Sequence, residues 1–472
     1  MKKISTFILT ALAVAATASA TFVSPGTGKT YTFASLAQID TSGVTLVNNA
    51  YIVSQDFTIS PSDTLAIQNG DTIKLGNGVT ITVNGFGKFT PSDTAYVTSD
   101  NEASKPKGFK ISDDNAGVEL ANITFDFVGF RLSNGNGQFI ASNCSFRYYN
   151  AAINSSSTIS FSKSSRDNII QDCSFIEGAA AAIGNGANIP VGIIVNHNYF
   201  YHNNTKNTNR PQINLTCAGD YDVKISDNTI IGGQFTKVGG IGVSNMMGLA
   251  FSGKTVISGN RIEDNRYGIA LIGPMNLDII DNYMLNNKYE TNPNQGGSGI
   301  SLYDSNGKAK VYIKGNHIEN SLWGLTIIGA PSVNAGRLKE AEPGTTDSYL
   351  MANPGENVFI NNGNSGVLYD LYNNGKATVY AQGNTWNVAT QDSISIESVI
   401  VHQADDANLG LVIFMPPYTD PSAVNTVDTA ATPIETRYYN LHGIESTGPF
   451  DGMNIVVTRY TDGTTRTTKL VK

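Results

Sequence analysis

Ser226-Asp227-Asn228-Thr229-Ile230, Ser258-Gly259-Asn260-Arg261-Ile262 and Ile280-Asp281-Asn282-Tyr283-Met284 repeat one phrase: a turn-forming Asp or Gly, an Asn, a variable residue and a large apolar one. Toward the N-terminus the phrase recurs as Ser142-Asn143-Cys144-Ser145-Phe146, Gln171-Asp172-Cys173-Ser174-Phe175 and Asn196-His197-Asn198-Tyr199-Phe200. Toward the C-terminus it recurs as Lys314-Gly315-Asn316-His317-Ile318 and Gln382-Gly383-Asn384-Thr385-Trp386. The shortest steps along the Asn/Cys column are 21 residues, from Ile123 to Cys144, and 22, from Asn260 to Asn282. A fixed phrase at such steps is one supersecondary unit stacked many times, the signature of a solenoid. Each rung is too short for a strand, a crossover helix and a second strand, yet it carries two-residue alternations of Val, Ile, Thr, Phe and Tyr. The expected fold is therefore all-β, a parallel β-helix with loops added to some rungs. The 47 Gly and the many Asn residues suit its corners, where left-handed backbone is needed. The Asn column is expected at one such corner, its amides stacking rung over rung.

At 472 residues the chain has material for a long continuous core, and a solenoid escapes the size limit that divides globular chains. Lys2 and Lys3, the apolar run Ile4 to Ala16 and Ala18-Ser19-Ala20 before Thr21 read as a secretory signal at 1–20, which predicts an extracellular or cell-surface protein. No Cys follows the cleavage site, which argues against a lipid anchor, and no later run is apolar enough for a transmembrane helix. Lys and Arg number 31 against 39 Asp and Glu, a net charge of −8; without Lys2 and Lys3, 29 against 39 gives −10. That acidity argues against nucleic acid or heparin as partner and requires a local basic patch for any polyanion. Of the three Cys, Cys144 and Cys173 share the Asn column and are expected as core-filling thiols, with a disulfide as the alternative. No CxxC or HxxxH spacing supports zinc.

Two groups of stretches carry a resemblance. Asp63 to Ile67, Gly70 to Leu75 and Val79 to Val83 read as opening coils. Gly383-Asn384-Thr385-Trp386, Ile394 to His402, Asp405-Asp406 and Leu409 to Pro416 read as a closing rung. From about Tyr51 to Tyr418 the chain resembles the right-handed parallel β-helix proteins of the pectin-lyase-like superfamily, as secreted by Bacteroidetes. That resemblance implies right-handed winding over 21–420, and it implies that His402, Asp405 and Asp406 cap the helix rather than bind a metal. A small, polar run at 421–433 reads as a linker. In 434–472, Tyr439-Asn440-Leu441-His442-Gly443, Met453 to Val457 and Tyr460-Thr461-Asp462-Gly463 predict a small β-hairpin module. This tail is similar to type IX secretion sorting domains, which implies an export machinery as partner, although Gly452-Met453-Asn454 departs from their usual strand start.

Folds of this kind host lyases, hydrolases, epimerases and proteins without chemistry. A polysaccharide is the expected partner, because the long face of a solenoid matches an extended polymer; a monomer is expected. β-Elimination needs a base and a cation beside the uronate carboxylate. The insertion between Tyr201 and Asn228 offers Arg210 and Lys224, extended by Lys237 on the next rung, as candidate catalytic groups. Tyr201, His202, Gln212 and Asn214 are candidates for binding substrate, and Asp220, Asp222 and Asp227 for holding Ca2+. Hydrolysis needs two carboxylates across the glycosidic bond. Asp172, Asp227 and Asp281, however, recur at one position of the phrase and so read as turn residues. The leading expectation is therefore a polysaccharide lyase cleaving an acidic polysaccharide by β-elimination; the alternatives are a glycan-binding or adhesin-like surface protein without chemistry, or a glycoside hydrolase.

Overall fold

The computed structural model describes residues 21–101, 103–150, 157–419, 433–440, 443–460 and 465–472. The signal segment 1–20 lies outside them, as do 421–432 of the expected linker, Leu441 and His442, and the Asp462-Gly463 turn. The chain divides into two compact units, Met1–Tyr418 and Thr419–Lys472.

In the larger unit the strands visit three sheets in rotation. Val223–Ser226 lies in sheet 2, Thr229–Ile231 in sheet 3, Ile241–Ser244 in sheet 1 and Lys254–Ser258 in sheet 2 again. Sheet 2 holds fourteen strands among the described residues, and sheets 1 and 3 hold thirteen each. Apart from an antiparallel start, Val44–Val47 against Ala50–Val53, every pairing in these sheets is parallel. Each face is a ladder of short strands and each coil stacks on the next, so the chain winds as the expected right-handed parallel β-helix.

The corner between sheets 2 and 3 is two residues wide, and its first residue takes left-handed backbone: Asp172 has φ 53°, His197 53°, Asp227 57°, Gly259 65° and Asp281 53°. The repeated Asp residues thus serve the turn. The second residue is the Asn column. Asn198 donates to Asn228 at 3.0 Å, Asn228 to Asn260 at 2.9 Å, Asn260 to Asn282 at 2.9 Å and Asn282 to Asn316 at 2.9 Å. The series continues through Asn357 to Asn384. Each amide also donates to a backbone carbonyl of the preceding coil, as Asn282 does to Ile257 at 2.9 Å, so buried polar groups are satisfied in a continuous spine. Cys144 and Cys173 occupy the column where it begins; both are buried free thiols, as is Cys217, whose thiol burial pushes up to about 12.

Inside the coil, Phe125, Phe146, Phe175 and Phe200 stack face to face along sheet 3, with centroids 5.1, 4.9 and 4.9 Å apart. Such pairs add about 1 kcal/mol each beyond their burial. Where sheet 3 passes to sheet 1, a glycine column, Gly240, Gly268, Gly299 and Gly324, lets adjacent coils touch: a Cβ on Gly268 would lie 2.5 Å from the Gly299 carbonyl oxygen.

Both ends are closed. Near the N-terminus, buried Asp63 accepts from Ser24 Oγ at 2.6 Å and from the amides of Gly26 and Lys29, and helix Phe33–Leu36 covers the first coil with Phe33 and Leu36. At the far end, His402 Nδ1 accepts the Val412 amide at 2.9 Å and Nε2 faces Glu397 at 2.8 Å, while the His402 amide donates to Asp405. Glu397, His402 and Asp405 thus lie together at this end, and the ring of His402 ties Glu397 to the closing strand through the Val412 amide.

The smaller unit is a four-stranded antiparallel sheet in the order Glu445–Ser446, Pro433–Tyr439, Met453–Tyr460, Thr465–Val471. Pro433, expected in the linker, opens one of its strands.

Candidate functional site

The run from Tyr201 to Asn228 is not a single loop. It contains a corner between sheets 3 and 1, the sheet 1 strand Ile213–Thr216, a second corner, and the sheet 2 strand Val223–Ser226. The residues expected to form one site are therefore distributed around the coil. Arg210 lies at the first corner, exposed. Lys237 lies at the same corner one coil on, its amide donating to Asn207 Oδ1 at 2.9 Å. Lys224 projects from sheet 2, with buried Val223 and Ile225 on either side. The catalytic trio is thus not brought together.

The expected calcium ligands do not converge either. Asp220 pairs with Arg166, which holds its carboxyl below the usual range, and Asp222 accepts the Lys254 amide at 2.8 Å. Asp227 sits beyond the opposite end of the Val223–Ser226 strand, roughly 13 Å away along it. Gln212 is fully buried and belongs to a second amide ladder, accepting from Asn203 at 3.1 Å and donating to Asn265 at 3.1 Å. It holds a corner and faces no ligand, because a longer amide does there what Asn does in other coils. His202, at φ 52°, is another left-handed corner residue, and its ring stacks on Tyr201 at 3.6 Å. Asn214 remains on the outer face of sheet 1, half-buried, between Gly184 and Gly242 in register.

That face holds the site which the sequence reading missed. The register runs Asn214, Gly242, Ala270, Ser301, Thr326, Tyr372, so small side chains form the floor of a trough across successive coils. A cleft of about 390 Å³ opens over its C-terminal half. One wall is aromatic: Trp323 stacks on Tyr372 at 5.2 Å and packs tilted against Tyr369 at 4.6 Å, and its indole donates to the Pro293 carbonyl at 2.9 Å. Tyr303 stands on the opposite side, 42% exposed. Half-buried Tyr267 also lines the cleft; desolvation pushes its phenol up to about 12, so it remains a donor at neutral pH.

Arg266 is the cation of the cleft. Its guanidinium donates to Asn209 Oδ1 at 2.6 Å and to the Gln295 carbonyl at 3.1 Å, and it has no carboxylate partner among the described residues. No Asp, Glu, Lys or His lines the cleft among the described residues. A pair of carboxylates for glycoside hydrolysis is thus not assembled there, whereas an aromatic wall beside an unneutralised guanidinium suits a flat, anionic, hydroxylated ligand.

A family model described as a right handed beta helix region matches residues 191–335. The chain carries a right-handed β-helix region. Among solved structures, the chain is similar to the periplasmic alginate epimerase AlgG, at 11% identity and a TM-score of 0.44, with 82% of this chain and 83% of that one covered. A double mutant of the same epimerase gives 10% identity and a TM-score of 0.45, with 82% and 81% covered. No curated protein matches. No helix among the described residues is long and apolar enough to cross a membrane.

Proposed function

We propose that the protein is an exported β-helix that binds an acidic polysaccharide along the outer face of sheet 1. The observation that carries the reading is Arg266, held by neutral acceptors with no carboxylate partner, beside the Trp323–Tyr372 stack. A uronate carboxylate would pair with the guanidinium, and a neighbouring sugar face would lie on the indole. The trough of small residues leading to the cleft gives the polymer its track. Residues 1–20 would direct export and residues 434–472 would engage a type IX machinery, which places the protein outside the cell.

Trp323 and Trp386 are the two tryptophans of the chain, and Trp386 is buried, so ligand-induced fluorescence quenching would report on Trp323. Titration with polyuronates and with neutral glucans is the test. Quenching by polyuronates alone, weakened roughly tenfold in Arg266→Ala, supports the reading. Equal quenching by neutral glucans, or none by either, sinks it. A second reading adds β-elimination in the same cleft: Arg266 would neutralise the uronate carboxylate, and since the cleft lining holds no Asp, Glu, Lys or His among the described residues, the proton would have to pass to a base brought from outside it. Ultraviolet absorbance of the unsaturated uronate product tests that addition separately.

A further inference from the structure

A second groove, of about 700 Å³, lies on sheet 2 and has a different chemistry. Its floor is one outward-facing row in register across five coils: Ile140, Ile169, Ile194, Lys224 and Val256. Alternation would place polar side chains on a solvent face, yet four of these five are branched aliphatics, and Ile194 is 42% exposed. The wall is a bridge. Arg166 and Asp220, from corners two coils apart, form an ion pair, with Tyr221 under the guanidinium at 4.3 Å. The intervening coil contributes Gly192, which has no side chain to fill the space beside them.

Charge on the floor is confined to Lys224. Lys254 is paired with Asp278 at 2.6 Å and Arg166 with Asp220, whereas Lys224 has no ion pair among the described residues and is flanked by Ile194 and Val256. Asp167 and Asp222 line the corner side, and Asp222 caps the Lys254 amide.

We propose that this groove binds a medium-chain aliphatic monocarboxylate, its head on the Lys224 ammonium and its chain laid across Ile194, Ile169 and Ile140. Three strand spacings separate Lys224 from Ile140, about 14 Å, which an extended acyl chain of medium length spans. Burying the chain on the aliphatic row supplies affinity, and the ammonium, flanked by Ile194 and Val256 and unpaired among the described residues, selects the anion. The site lies on another face from the polysaccharide cleft and does not depend on it.

The test is calorimetric titration of the full chain with dodecanoate below its micelle concentration, compared with the uncharged amine oxide and the trimethylammonium of the same chain length. Expected are one saturable site for dodecanoate, roughly tenfold weaker binding in Lys224→Met, no change for the amine oxide in that variant, and loss of both ligands in Ile194→Asp. Both residues are exposed, and an unchanged circular dichroism spectrum and melting temperature verify folding of the variants. Dodecanoate binding no better than the amine oxide, tighter binding of the cation, or full retention in Lys224→Met would each overturn the proposal.

Discussion

Asp370 has no exposure to solvent, and Oδ1 finds no hydrogen-bond partner, while Oδ2 accepts the Asn387 amide at 2.7 Å. Burial raises its carboxyl from 3.8 to about 7, with that amide and the Asn362 side chain opposing the shift incompletely. The folded state therefore keeps a proton that the unfolded chain releases near pH 4, so stability falls as pH rises from about 4 to about 7 and is level above. The loss is on the order of 4 kcal/mol. Asp370→Asn should flatten that slope and raise stability at pH 8, read from urea melts across the pH range. Asn282 sets the opposite case, since every one of its polar atoms is used. Removing it in Asn282→Ala takes the acceptor from the Asn260 backbone amide and the side-chain donor from the Ile257 carbonyl, and should cost about 3 kcal/mol at any pH. The Asn282 role could be read from the sequence, because a residue type that recurs at one position of every rung announces a structural task. Gln212 was misread for the converse reason: a different residue type hides its place in a column.

At the scale of elements, the Phe stack and the corner columns are one device seen from inside and outside. Four successive coils each contribute one Phe inward at this position, the four coils after them Ile or Met, and the corner beside it contributes a left-handed residue, so that the stack of coils aligns both. Phe175 lies between Phe146 and Phe200 at 4.9 Å from each, so Phe175→Ala breaks two contacts and opens a cavity, for an expected loss of about 4 kcal/mol by denaturant titration. The corners explain which part of the site was legible. Strand positions follow from the repeated phrase, so the three long sheets could be anticipated, whereas the tail, expected as a small hairpin module, is a four-stranded sheet. The cleft could not, because Arg266, Trp323 and Tyr372 come from different coils, and the lengths of the intervening corners decide whether such residues meet. Those lengths follow no period. The same irregularity misplaced Arg210 and Lys224, which lie near each other in sequence with a whole strand of sheet 1 between them.

Across the whole β-helix, each strand pairs only with those of the adjacent coils, and the longest side-chain contacts, such as Arg166 to Asp220 and Gln212 to Asn265, reach two coils, so energetic effects should remain local. Phe57→Leu near one end and Phe359→Leu near the other should add, with a coupling within about 0.5 kcal/mol in a double-mutant cycle; a larger coupling would mean that the coils communicate over the full length. The spine of amides has a further consequence at this scale. Successive ladder partners are 30, 32, 22, 34, 41 and 27 residues apart, yet their side-chain bonds all measure 2.9 to 3.0 Å. The rail is indifferent to how much chain is paid out between two of its contacts. New segments can thus be spliced into a corner, or excised from it, while the scaffold holds its pitch, and the binding surfaces of such a molecule are free to diversify as interchangeable cassettes on an unchanging frame.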